Sequence, residues 1–247
     1  MSIIKIGLCG INGRMGQAIR ESMQSKEEKF ILAATLGSSH TQSDLTEFCN
    51  HSDVIIDFSN AYVLEELTKA AMLSKTNIVV GTTGLKDKHF SYLEELSEHV
   101  AVLYAANTSI GANLVAMLAA KSANILQGYD VEIIEAHHRY KQDAPSGTAL
   151  MIGQKIADAS GVDFKSKAVF DRANKGARQV GEIGFSSIRG GGIFGENDVL
   201  FAGDNEVVTI GVRALSRAAF ADGALFAAQW LSNKKTGLYS MQDALQL

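Results

Sequence analysis

Proline is almost missing from this chain: Pro145 is the one proline in 247 residues, where about 5% is usual. Without a proline-rich stretch, no stiff linker marks a domain boundary. Cysteine is nearly as scarce. Cys9 and Cys49 belong to no CxxC or Cys/His spacing, which removes a disulfide-stapled scaffold, argues against a metal site, and points to a reducing, cytoplasmic setting. Long apolar runs are missing too, and the opening MSIIKIGLCG reaches glycine too soon for a signal segment or a membrane span. No block of Lys and Arg occurs and the net charge is −4, so the footprint of a nucleic-acid binder is lacking. An acidic chain can still hold a small anion in a local pocket. What is present is 46% apolar and 20% charged, the composition of a globular protein with a substantial core.

Short apolar runs punctuate the first part of the chain: IIKIGLCG, FILAATLG, DVIIDFS, NIVVGTTG and VAVLYAAN. Between them, residues 14–25 and 61–75 carry helical periodicity, the second with Val63, Leu64, Leu67, Ala70 and Ala71 on one face. Such alternation predicts βα units on a parallel, Rossmann-like sheet. The stretch from Ser38 to Ser52 reads as a short loop. SIGANLVAMLAAKSANILQG predicts a long helix stopped at Gly128, followed by the strand DVEIIEA. From about residue 165, strands broken by Gly, Asn-Asp and Asp-Asn turns predict an antiparallel, separately built part of the chain. Residues 217–231 are nearly all apolar and read as a buried helix that returns to the first sheet. Hinges are expected near 107–109 and 215–218.

GLCGINGRMGQAI places Gly10, Gly13 and Gly16 between a strand and a helix. Missing side chains there let backbone approach a pyrophosphate at the helix N-terminus, a variant of the dinucleotide fingerprint. A tight βα turn would also use glycine, but the further βα units favour nucleotide binding. The usual acidic residue at the end of the second strand is replaced by LGSSHT. Gly37, Ser38 and Ser39 leave room for a 2′-phosphate, and Arg14 is the nearest cation, which tips the choice slightly toward NADPH over NADH. GTTG and AANTS end two further strands, where open α/β sheets bind ligands.

In EIIEAHHRYKQDAPSGTA, two histidines, an arginine and a lysine crowd the end of a strand, just before a Pro-Ser-Gly-Thr turn and a helical pattern. Pro145 pre-sets φ near the helix start, whose first N–H groups are unpaired donors. Gly147 lets a ligand come close. The cluster thus offers a proton donor in His137, cationic groups in His138 and Lys141, and backbone donors for a carboxylate. Adjacent histidines at a strand end are often merely solvated. The conjunction with the turn favours a site.

GINGRMG, DVIIDFS, GTTG, AANTSIGAN, EAHHRYKQDAPSGTA and RGGGIFGE, in that order along the chain, resemble the 4-hydroxy-tetrahydrodipicolinate reductase (dihydrodipicolinate reductase) family across essentially the entire chain. The resemblance implies a Rossmann-like dinucleotide-binding domain of residues 1–108 and 217–247, and a second α/β domain for substrate binding and oligomerisation, residues 109–216, whose mixed, largely antiparallel sheet builds a homotetramer. It implies hydride transfer from NADPH or NADH to a cyclic dicarboxylate. His137 would donate the proton, Lys141 would be a second donor that steadies the ring, and His138, Gly147 and Thr148 would hold the carboxylates. Gly10, Ile11, Asn12, Gly13, Arg14 and Met15, with Gly81, Thr82, Thr83, Ala105, Ala106, Asn107 and Thr108, would line the cofactor. A histidine near its unperturbed pKa of about 6.5 suits such proton delivery. The chain departs from the family pattern at Gly37, where many members carry an acid, and at Asn197, where histidine is frequent.

Two other readings stay open on the residues alone. One is a related Rossmann reductase acting on another amino-acid precursor. The other is a dinucleotide-binding sensor in which the cluster holds a carboxylate effector without turnover.

Overall fold

The computed structural model describes residues 3–37 and 41–246. Ser38 and Ser39, expected beside a 2′-phosphate, lie outside the described residues. In chain order the elements are β1 (Ile4–Cys9), α1 (Arg14–Gln24), β2 (Phe30–Leu36), α2 (Gln42–Asn50), β3 (Val54–Asp57), α3 (Leu64–Ser74), β4 (Asn77–Val80), α4 (Asp87–Ser97) and β5 (Ala101–Tyr104). There follow α5 (Ile110–Ile125), β6 (Asp130–His137), α6 (Gly147–Ser160), α7 (Phe164–Lys167), β7 (Ala168–Val169), β8 (Ile183–Arg189), β9 (Gly195–Ala202) and β10 (Val207–Ala214). The chain closes with α8 (Ala218–Leu231), β11 (Gly237–Tyr239) and α9 (Met241–Leu245). Two compact units result, Met1–Ile110 with Arg217–Leu247, and Gly111–Ser216.

In the first unit, six strands among the described residues form a parallel sheet in the order β11-β5-β4-β3-β1-β2. β3 shows why its strands read as unbroken apolar runs. Val54 and Ile56 enter one core layer, with Ile6, Leu8 and Leu225, while Ile55 enters the other, with Leu45, Leu67 and Leu96. A parallel sheet covered on both faces needs apolar residues at both phases of the period-two alternation. From β1 the chain goes to β2 on one side and to β3 on the other, so the topological switch lies between β1 and β3. Ligands of open α/β sheets bind beyond the carboxyl ends of the strands at that point.

Two expectations change here. The stretch between β2 and β3 contains α2, begun by a reciprocal cap in which Asp44 N donates to Thr41 Oγ1 (3.2 Å) and Thr41 N donates to Asp44 Oδ2 (2.6 Å). The T-x-x-D spacing is the signature of such a box, and the loop reading passed over it. β11 is a sixth strand too short to show a pattern, formed by pairing with β5.

The returning helix α8 behaves as its composition requires. Ala221, Ala224, Leu225, Ala228 and Leu231 lie in the same core layer as Ile6 and Leu8. Its close fit rests on Gly223, where a Cβ would overlap the Thr108 carbonyl oxygen.

The second unit is built on a sheet of order β10-β9-β6-β8-β7. β10–β9 and β9–β6 are antiparallel, whereas β6–β8 and β8–β7 are parallel. The hairpin turn between Ala202 and Val207 accounts for the antiparallel β10–β9 pair, and the crossover from β6 through α6 for the parallel part. Ile133 on β6, Val199 and Phe201 on β9, and Phe185 on β8 point to one face, packed with Val115 and Ala119 of α5 and with Ile152 and Ile156 of α6. Glu135 and His137 continue the Ile133 row, opposite Asn197 and close to Gly195. The alternation that buries the apolar core therefore carries a carboxylate and an imidazole into the same layer.

Gly223→Ala sets two effects against each other. Helix propensity favours alanine by about 1 kcal/mol, while overpacking costs about 1–3 kcal/mol, and contact with a backbone carbonyl leaves little room to relax. A net loss of stability is expected, read from the urea midpoint; an unchanged or raised midpoint refutes the close fit of α8.

Candidate active site

In the first unit, the loop after β1 is shaped by its glycines. Gly10 has φ of +84°, and a Cβ there would stand 2.5 Å from the Phe58 carbonyl oxygen. A Cβ on Gly16 would overlap the Gly10 carbonyl oxygen. Only glycine satisfies both demands. Gly13 is the N-cap of α1 and provides no side-chain cap, so the first-turn N–H groups of α1 remain donors, with the positive end of the helix dipole behind them. Asn12, Gly13 and Arg14 are exposed around this end, while Ile11 and Met15 are half-buried against the core. Gln17 secures the loop by donating to the Ile11 carbonyl at 2.7 Å. This cradle at the switch point fits a pyrophosphate.

The neighbouring strand ends are tied together by Asp57, which has no exposed surface. Its Oδ1 accepts from Ser59 N (3.0 Å) and Ser59 Oγ (2.6 Å), and its Oδ2 accepts from Thr82 Oγ1 (2.7 Å). Burial pushes this carboxyl up, and hydrogen bonds from Ser59, Thr82 and Cys9 only partly offset the push. Gly81 makes room for the Phe58 ring. Thr108 donates to the Phe220 carbonyl at 2.7 Å. Since the hydroxyls of Thr82 and Thr108 are committed inside the unit, what these positions can offer a ligand is backbone. Thr83 and Ala106 are exposed, Ala105 is buried, and Asn107 Oδ1 accepts from Ser109 N at 2.8 Å.

In the second unit, the cluster lies at the end of β6. Glu135 is 0% exposed, and His137 Nδ1 stands 2.5 Å from Glu135 Oε2. Arg189, at the end of β8, grips the same carboxylate with two nitrogens, Nη1 to Oε2 at 2.9 Å and Nη2 to Oε1 at 2.7 Å. Burial alone drives the Glu135 carboxyl up; hydrogen bonds from Arg189, Ser187 and His137, with the Arg189 charge, more than cancel it, and the net direction is down. For His137, burial pulls the pKa below its ordinary value and Lys141 and Arg189 add to that, against the opposing pull of Glu135. The expectation of a histidine at its unperturbed value is thereby corrected. In the free protein at neutral pH it is a neutral imidazole. An ionised carboxylate can only accept, so the ring hydrogen sits on Nδ1 and Nε2 carries the lone pair.

Lys141 Nζ binds both oxygens of Asp143, at 2.9 and 2.8 Å. His138 Nδ1 is buried and takes no hydrogen-bond partner among the described residues. Ala144–Pro145 is a cis peptide. Helix α6 starts at Gly147, with Ser146 as N-cap accepting from Ala149 N at 3.2 Å, so Pro145 stands one residue before the cap, just ahead of the helix start as expected. The Gly147 N–H is one of the orphan donors of the helix start, and a Cβ at Gly147 would meet no atom within 4 Å. Packing does not require glycine there; close approach of a ligand would. Asn197 Oδ1 is also buried without a hydrogen bond. Among the described residues, no group of acidic, histidine and cysteine side chains could hold a metal ion.

The sequence profile described as dihydrodipicolinate reductase, N-terminus, matches residues 4–108, and that for the C-terminus matches residues 111–245. The chain belongs to the dihydrodipicolinate reductase family. It is 45% identical over 245 residues to the 4-hydroxy-tetrahydrodipicolinate reductase of Rickettsia canadensis (strain McKiel), covering 99% of this chain and 100% of that protein. It is 40% identical over 252 residues to the enzyme of the same name from Zymomonas mobilis subsp. mobilis, covering 100% of this chain and 98% of that one. Among solved structures it resembles the dipicolinate-bound dihydrodipicolinate reductase of Paenisporosarcina sp. TG-14, with a TM-score of 0.80, 25% identity, and coverage of 98% of this chain and 99% of that one. Membership makes the chain an oxidoreductase whose first unit is a nucleotide-binding Rossmann-type domain.

Three residues take their place in the site only with the structure. Glu135 was visible in the sequence as a nearby carboxylate, and its place two residues before His137 on a strand put both side chains on one face. Asp57 ends an apolar run. Arg189 has no local signal, because the pairing of β6 with β8 is what sets it opposite His137.

The account of the first unit predicts a contrast between neighbouring threonines. Thr82→Val leaves a buried carboxyl one donor short and is expected to cost about 1–3 kcal/mol of stability. Thr83→Val, at an exposed position, should change it by less than about 0.5 kcal/mol. Equal urea midpoints for the two variants contradict the brace at Asp57.

Proposed function

We propose that this chain catalyses the NAD(P)H-dependent reduction of 4-hydroxy-tetrahydrodipicolinate to tetrahydrodipicolinate, a step of lysine and diaminopimelate biosynthesis, with NADPH slightly preferred. The observation that carries this reading is the end of β6: one imidazole nitrogen of His137 is tied to a buried carboxylate, which leaves the other to face a ligand. The net change adds a hydride and a proton and releases the ring hydroxyl as water. Reduced nicotinamide, when bound, supplies the hydride.

The chain's own groups do the rest. His137 provides the proton through Nε2. Because it is neutral in the free protein, the proton must be loaded. Two substrate carboxylates brought beside the ring favour its protonated form, so binding and loading are coupled. Lys141 serves as second donor and steadies the reacting ring, its charge balanced by Asp143 until substrate arrives. His138, Gly147 and Thr148 hold the carboxylates, aided by the positive end of α6. The dipicolinate of the Paenisporosarcina structure is a ring with two carboxylates, the chemistry this turn suits.

The cofactor is held by the Gly10 to Met15 loop, by Gly81, Thr82 and Thr83, and by Ala105 to Thr108. The preference for NADPH follows from the lack of a carboxylate at Gly37 and from the exposed Arg14 at the start of α1. A homotetramer is proposed through the face of the second sheet opposite α5 and α6, where Ile188 and Val207 are more than half exposed (51% and 57%). Light scattering that returns a monomer's mass overturns that assembly.

A coupled assay with enzymatically generated 4-hydroxy-tetrahydrodipicolinate, following reduced-cofactor absorbance with NADH and NADPH in parallel, tests reaction and cofactor together. His137→Gln and Lys141→Ala are each expected to lower turnover by about 10²- to 10⁴-fold, while cofactor binding stays nearly unchanged. Normal turnover in both variants removes the assignment of the site.

A further inference from the structure

The terminal nitrogens of Arg189 are already engaged within the protein. Nη1 donates to Glu135 and to the Ile188 carbonyl (2.7 Å), and Nη2 donates to Glu135 and to the Asp143 carbonyl (2.7 Å). A buried ion pair of this kind adds little net stability, because desolvation offsets the attraction. What it fixes is geometry. The Glu135 carboxylate dictates which ring nitrogen of His137 carries hydrogen. Through the Asp143 carbonyl, the same guanidinium holds the residue whose carboxylate binds Lys141. The backbone beside Arg189 adds to the grip: Gly190 N donates to the His137 carbonyl (3.0 Å), and Arg139 N donates to the Gly191 carbonyl (3.3 Å).

We propose that Glu135 and Arg189 are positioning residues that act as one unit, Glu135 setting the tautomer and supporting the imidazolium of His137, Arg189 holding Glu135 ionised and Lys141 in register. The inference rests on the reading of His137 and Lys141 as the two proton donors. The charged groups that face His137 are Glu135 on its own strand, Arg189 from β8, and Lys141 with Asp143 from the following loop; from β9 it is Gly195 that meets the ring, with its Cβ position 3.1 Å from Nε2.

Nitrogen-15 NMR of histidine-labelled wild-type protein tests the first half without substrate. The neutral His137 ring is expected as the Nδ1–H tautomer; the Nε2–H tautomer overturns the role of Glu135. In the assay, activity falls as pH rises, because the protonated ring is required and is lost through its pKa. Glu135→Gln removes the charge that supports the imidazolium, so the falling limb is expected at lower pH. Its kcat at neutral pH should drop on the order of 10- to 100-fold, by analogy with groups that orient metal-bound histidines, with KM little changed. Glu135→Asp keeps the charge and should return the limb toward its wild-type position. A uniform loss with the limb unmoved makes Glu135 structural and refutes the proposal.

For Arg189, the Arg189→Ala penalty should shrink in a Lys141→Ala background; additive penalties refute the second half. A wild-type chain with no turnover would remove the proposed function instead, and would leave the tautomer result standing on its own.

Discussion

An ionised carboxylate shut away from water must be surrounded by donors, and the second unit is arranged around meeting that demand for Glu135. Period-two alternation places it in the row begun by Ile133, where α5 and α6 cover the sheet. Once there, it draws in His137 from its own strand and Arg189 from the parallel neighbour. The loop with Lys141 and Asp143 is then held by the other side of the same guanidinium. Strand register, side-chain burial and the chemistry of the histidine are thus consequences of a single buried charge and of how it is compensated.

Asp57 in the first unit makes the comparison instructive. Like Glu135 it has no exposed surface, and it too is ringed by hydrogen-bond donors. Its donors are neutral, and its pKa moves up; Glu135 has a guanidinium, and its pKa moves down. Neutral donors accompany the raised value and a cationic partner the lowered one, as the electrostatics of the two sites require.

How much could be read from the residues depended on how local the cause was. The five leading strands and the Gly10 loop were legible because buried parallel strands are apolar at every position and because glycines punctuate the turns. α2 was passed over despite its Thr41–Asp44 box, and β11 could not be seen, since three residues show no period and only pairing with β5 defines them. At the site, the histidines, Lys141 and the Gly147 turn lie within one short stretch and stood out. Arg189 and the lowered pKa of His137 did not, because register and burial are properties of the folded sheet. Pro145 was legible as the residue just ahead of the helix start, with Ser146 the cap that follows it.

The return of α8 has a consequence for how the chain is made. The layer holding Ile6, Leu8 and Ile56 also requires Ala221, Leu225 and Leu231, which a ribosome delivers only after the whole second unit has been translated. At roughly 5–20 residues per second, that leaves one face of the first sheet without its partner for several seconds. The second unit is contiguous and can complete its core as it emerges, so the unit that starts first in synthesis is the one that finishes last.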